Sequence, residues 1–224
     1  MMDADGQVKE DLKNGQKSIT QKENWIDWSD VLKKYDELKK DVEEFITKKE
    51  ISEGQYNILL EYVVLSLYVL LPPRRNDYKD MYIVKNYSDS LPKSENYYLL
   101  DSNELLFNNY KTSKKYGVQQ IKAPIDLIDV IKKYIKFHPL IKGKRLAKTS
   151  NIPLLVDYDG NHLNKVNSIT KILNNIFDKN IGASMLRHSY LTSKYADVKE
   201  EQQQDAELMG HSINEQDKTY IKQK

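Results

Sequence analysis

Four stretches of this 224-residue chain carry side chains suited to handling a phosphodiester. PPRRND presents Arg74 and Arg75, YKTSKKYG presents Lys111 and Lys114, and MLRHS presents Arg187. MGHSINEQDKTYIK presents His211 and, nine residues later, Tyr220. Breaking a phosphodiester without a metal needs a nucleophile, cations on the non-bridging oxygens and an acid for the departing oxygen. A tyrosine can attack phosphorus, and two guanidiniums can clamp the developing charge with bidentate hydrogen bonds. A lysine can protonate the leaving hydroxyl. All these parts are present. Each also has a plainer reading alone: sixteen tyrosines make any one of them more often packing than chemistry. Arg187 could pair with Asp205, Lys111 could be a solvated hairpin tip, and His211 could end a helix on the favourable side of its dipole. Order and spacing, taken together, favour the chemical reading.

The elements that would position these groups follow from periodicity. From Ser29 as N-cap, Val31, Leu32, Tyr35, Leu38, Val42, Phe45 and Ile46 form one stripe of an amphipathic helix. Ile58–Leu71 is apolar nearly all round, so a central core helix is expected, ended by Pro72 and Pro73. Arg74 and Arg75 then fall at a helix start. MYIV, YYLL, ELLFNNY and GVQQIKAP read as a small antiparallel sheet of about three strands. IDLIDVIKKYIKF and SITKILNNIF read as helices, with a short strand PLLV and a turn at Asp157–Gly160 between them. ASMLRHSYLTSKYA, KEEQQQDAELM and INEQDKTYIKQ read as three closing helices. The expected class is mainly α with a small antiparallel β-sheet. Residues 1–24 read as a flexible leader and 25–224 as one domain.

Composition narrows the chemistry. There are no cysteines, and the four histidines show no metal-ligand spacing, which points away from disulfides, thiolate nucleophiles and metal sites; no cofactor is expected. The polar N-terminus has no apolar signal region and no apolar run reaches membrane-spanning length, so an intracellular protein without a membrane partner is expected. Net charge is only +2, but it is segregated. Residues 1–62 hold fifteen acids and ten bases, whereas 111–148 hold eleven Lys and Arg against Asp126 and Asp129. A polyanion-facing surface has this pattern, and Lys114, Lys115, Lys142, Lys144 and Arg145 are its candidate nucleic-acid contacts.

MLRHSYLTSKY followed by ELMGHSINEQDKTYI resembles the C-terminal signature of the tyrosine recombinases, or phage-type integrases. PPRRNDY resembles sequences of recombinase-like proteins of large DNA viruses and virophages. The resemblance covers roughly residues 25–224 and is most specific from 181 onward. It implies a DNA breaking–rejoining catalytic domain that works on double-stranded DNA through a covalent 3′-phosphotyrosine, as a tetramer in relatives. Arg75 would be the first clamp arginine, with Arg74 the alternative through its Arg-x-x-Asp pattern. Lys111 would be the catalytic lysine, with Lys114 as runner-up. Arg187 would be the second clamp, His211 a donor to the scissile phosphate and Tyr220 the nucleophile. Ser184 stands where the family usually has a histidine and is the auxiliary candidate. The family's separate N-terminal core-binding domain is expected to be absent from this chain. The alternatives are a type IB topoisomerase-like enzyme and a non-catalytic DNA-binding module that keeps the fold.

Overall fold

A computed structural model describes residues 17–144, 151–210 and 212–213. Its helices are α1 Ile19–Glu23, α2 Trp28–Glu43, α3 Glu53–Val69, α4 Ser113–Tyr116, α5 Ile125–Phe137, α6 Ser168–Phe177 and α7 Ala183–Met209. Its strands are β1 Met81–Val84, β2 Asn96–Leu99, β3 Glu104–Phe107, β4 Gln119–Lys122 and β5 Ile152–Pro153. Helices outweigh strands, as the apolar periodicities imply, in a mixed α/β arrangement.

Helix α3 is the axis of the core. Ser52 caps it by accepting from the Gln55 amide while Gln55 returns a bond to the Ser52 amide, a reciprocal pair that satisfies two otherwise orphaned donors. Its side chains from Tyr62 to Tyr68 are all buried, and α2, α5 and α6 pack around it. Tyrosines on this helix are therefore packing groups with their hydroxyls paired. Tyr62 meets the Tyr35 hydroxyl, and Tyr56 meets Tyr134 and the Val156 carbonyl. Helix α2 shows the expected stripe, with three corrections: Asp27 rather than Ser29 stands at its N-cap, Leu32 is exposed, and Phe45 and Ile46 lie in the turn just past its end.

The sheet is larger than expected and mixed, in the order β4-β3-β2-β1-β5. β1 and β2 are parallel, whereas the other neighbours are antiparallel. The physical reason is the connection: residues 85–95 are long enough to carry the chain back to the start of β1, which a tight hairpin could not do. One sheet face joins the helical core through Met81, Ile83, Tyr98, Leu105 and Phe107. The other carries a small apolar cluster of Val84, Tyr97, Leu99 and Leu106.

Two further expectations are corrected. Arg74 and Arg75 do not start a helix: after Pro72 and Pro73 the chain makes a turn, closed by Lys79 N–H to Asn76 O and Met81 N–H to Tyr78 O, and runs straight into β1. The stretches ASMLRHSYLTSKYA and KEEQQQDAELM form one 27-residue helix, α7. Neither glycine nor proline interrupts it before Gly210, which ends it in the left-handed conformation with φ 73° and donates to the Ala206 and Glu207 carbonyls. The third closing stretch lies outside the described residues. No helix among the described residues is long and apolar enough to cross a membrane.

Candidate phosphate-binding cleft

Three segments distant in sequence meet at one cleft. The turn after α3 supplies Pro73, Arg74, Arg75 and Asp77. The β3–β4 hairpin supplies Tyr110, Lys111, Thr112, Tyr116 and Gln119, and α7 supplies Arg187. The space they enclose is about 280 Å³, at the small end for ligand pockets, and broadly open to solvent.

The arginine turn is held from below by buried tyrosines. The Tyr68 hydroxyl donates to the Arg75 carbonyl at 3.2 Å, and the Tyr78 hydroxyl donates to the Leu67 carbonyl at 3.1 Å. The hairpin is tied to the same turn by Asn96, which is almost fully buried at the start of β2. Its amide donates to the carbonyls of Asp77 and Asn109, and its carbonyl accepts from the Asn109 N–H, all at 2.9 Å. β3 and β4 pair antiparallel, so Lys111 stands at the tip of their connection. The tip is itself closed by a helical turn, α4, and by the Tyr110 hydroxyl donating to the Gly117 carbonyl at 2.7 Å.

Arg74 and Arg75 are placed differently. The Arg74 Nε donates to Asp77 Oδ2 at 3.0 Å, and its Nη1 donates to Gln119 Oε1 at 2.8 Å. Its guanidinium lies 3.9 Å from the Phe107 ring centroid, and its side chain is only 16% exposed. Arg74 is thus a fixed cation with one nitrogen left over. Arg75 is exposed and lines the same cleft, and its guanidinium has no hydrogen-bonding partner among the described residues. Arg187 is half-buried, and it too has no hydrogen-bonding partner among the described residues. The pairing of Arg187 with Asp205 is not made. Eighteen residues along one continuous helix separate the two by about 27 Å.

Burial raises the Asp77 carboxyl above its usual 3.8, while Arg74, Arg187 and Arg75 all pull it back down. The opposition of these effects describes the cleft well. A single half-buried carboxylate is surrounded by three guanidiniums, so the site keeps a net positive field.

A neighbouring cleft of about 470 Å³ shares Arg75, Asp77, Tyr110 and Lys111 with the first, and adds Lys79, Asp80 and Lys114. Lys114 therefore faces this second space. Lys115 sits beside Tyr116, with its Nζ 5.0 Å from the ring centroid. The more distant basic candidates line neither cleft: Lys142 pairs with Glu50 at 3.4 Å, and Lys144 is exposed past the end of α5. Ser184 lies one turn before Arg187, exposed and off the cleft wall. His211, Tyr220 and Arg145 lie outside the described residues. Among the described residues, no cluster of three His, Asp or Glu side chains is arranged to hold a metal ion.

Gln119, Tyr110, Tyr116 and Asn96 escape sequence reasoning. Gln119, Tyr110 and Asn96 act through partners distant in the chain, Tyr116 through its place on the cleft wall, and none belongs to a residue type or spacing that singles it out. The alternation in β4 puts Gln119 and Ile121 on the less exposed face, the one local signal that Gln119 points inward. No protein-family model, curated protein or solved structure matches this chain.

Proposed function

We propose that this chain is the catalytic domain of a site-specific DNA recombinase or integrase, with the DNA breaking–rejoining fold of tyrosine recombinases. The observation that carries the reading is the convergence of Arg74, Arg75, Lys111 and Arg187 on one open, positively charged cleft. A cation set of this kind matches a phosphodiester whose charge grows in the transition state.

In this reading Tyr220 Oη attacks the scissile phosphorus and the bond to the 5′ oxygen breaks. Lys111 passes a proton to that oxygen. Arg187 and Arg74 hold the non-bridging oxygens, and Arg74 is preferred to Arg75 for the rigid clamp because Asp77, Gln119 and Phe107 already fix its plane. Arg75, exposed and shared by both clefts, contacts the flanking backbone. Ser184 is off the cleft, so the tyrosyl proton goes to water. The 5′ hydroxyl of a partner strand then attacks the phosphotyrosine and reseals the DNA. The partner is double-stranded DNA, bound by a tetramer as in the family resembled.

The test is a duplex nicked close to the cleavage position, drawn from DNA flanking the encoding element and incubated with the chain in EDTA. A covalent protein–DNA adduct that persists in EDTA and vanishes in Tyr220→Phe is the expected result. Salt-sensitive DNA binding by the full chain with no adduct would overturn the enzyme and leave a DNA-binding module.

A further inference from the structure

Tyr116 is 59% exposed, yet it belongs to the wall of the cationic cleft beside Arg187, Arg75 and Lys111. An exposed tyrosine on a loose loop would carry no argument, but this one is not on a loose loop. It is the last residue of α4, whose turn is closed by Tyr116 N–H to Thr112 O at 3.1 Å and Gly117 N–H to Ser113 O at 2.8 Å. The turn is pinned from the other side by the Tyr110 hydroxyl on the Gly117 carbonyl. Gly117 follows with φ 69°, a conformation that favours glycine and turns the chain sharply into β4. The backbone that carries this exposed ring at the cleft wall is therefore braced.

Its surroundings are those of a stacking platform. The Lys115 ammonium lies 5.0 Å from the ring centroid, where it polarises the π-system, and the Tyr116 hydroxyl has no hydrogen-bonding partner among the described residues. Cations that follow a phosphate backbone, with an aromatic face beside them, are the combination that binds an unstacked base. We infer that Tyr116 stacks on the nucleobase next to the phosphate held by Arg74 and Arg187, so that the cleft takes a strand whose base at that position has left the duplex stack. This rests on the nucleic-acid reading of the cleft and adds a positioning residue on the hairpin, distinct from the arginines and Lys111.

The experiment uses the full chain at fixed salt with two probes: a short single DNA strand of mixed sequence, and the same phosphate backbone with abasic sugars. The expected result is that the wild type prefers the base-bearing strand by about tenfold or more. Tyr116→Ala should lose that preference and leave abasic binding unchanged, whereas Tyr116→Phe should keep it. Arg187→Ala should weaken both probes alike. Equal preference in the wild type and Tyr116→Ala would overturn the stacking role, as would a Tyr116→Phe variant that behaves like Tyr116→Ala. Failure of the wild type to bind either probe while it still binds the nicked duplex would also overturn the stacking role, and failure to bind that duplex as well would instead remove the nucleic-acid reading on which the inference stands.

Discussion

Asn96 Nδ2 lies 2.9 Å from the Asp77 carbonyl oxygen, and through this bond the buried start of β2 holds the turn that carries both arginines. The same side chain makes two bonds to Asn109 at the start of the hairpin connection. One amide group thus fixes the separation between the arginine turn and the segment that leads to Lys111. Asn96→Ala would leave two carbonyls and an amide without their partner in a closed region. The expected loss is roughly 3 kcal/mol, or on the order of 10 °C in Tm, read by thermal unfolding. Asn96→Asp keeps only the acceptor and should not rescue stability. DNA binding should fall in both, although Asn96 lines only the second cleft.

Arg74→Lys tests the proposed clamp. A lysine keeps the charge but cannot bond Asp77 and Gln119 at once or stack flat on Phe107. Adduct formation on the nicked duplex should fall by roughly 10²-fold, the scale of losing one preorganised donor to a transition-state charge. Arg75→Lys should lose much less cleavage. The reverse ranking would return the clamp to Arg75.

His138 provides a pH dependence unconnected with the cleft. It is fully buried after α5, its Nε2 bonds the Pro153 carbonyl at 3.0 Å, and burial lowers its pKa from 6.5 to about 4. Between those values the unfolded chain binds a proton that the folded chain does not. Stability from this group is present above pH 6.5 and is lost as pH falls towards 4, by about 3 kcal/mol in all. Denaturant titrations across that range should show the decline, and a His138→Gln variant should show a flatter one despite lower stability at neutral pH.

What could be read from the sequence divides along a physical line. Helices α3, α5 and α6 announce themselves through apolar periodicity, which is local. Strands β1 to β4 are visible as segments, whereas of the expected strand PLLV only Pro153 belongs to β5; the partners are not visible, because pairing of β1 with β2 and β5 is decided by distant chain. The break expected inside α7 had no residue to cause it. The candidate cations were legible from type and order. The brace around Arg74 was not, since Gln119 meets it across 45 residues and nothing in QQIK marks that meeting. Even Asp77, visible three residues after Arg74, gave no hint of its burial.

The uninterrupted run of α7 works as a ruler. At about 1.5 Å per residue, Ser184 and Met209, both exposed, stand about 37 Å apart along it. The chain contains no cysteine, so thiols introduced at these two positions would be the sole sites for a pair of spin labels. In the free protein the labels should report a single long separation. If Tyr220 must return to the phosphate held by Arg187, binding the nicked duplex should shorten that separation by bending the rod. An unchanged distance in a protein that has formed the adduct would mean that the rod stays straight and that the chain beyond it, or a second copy, spans the gap.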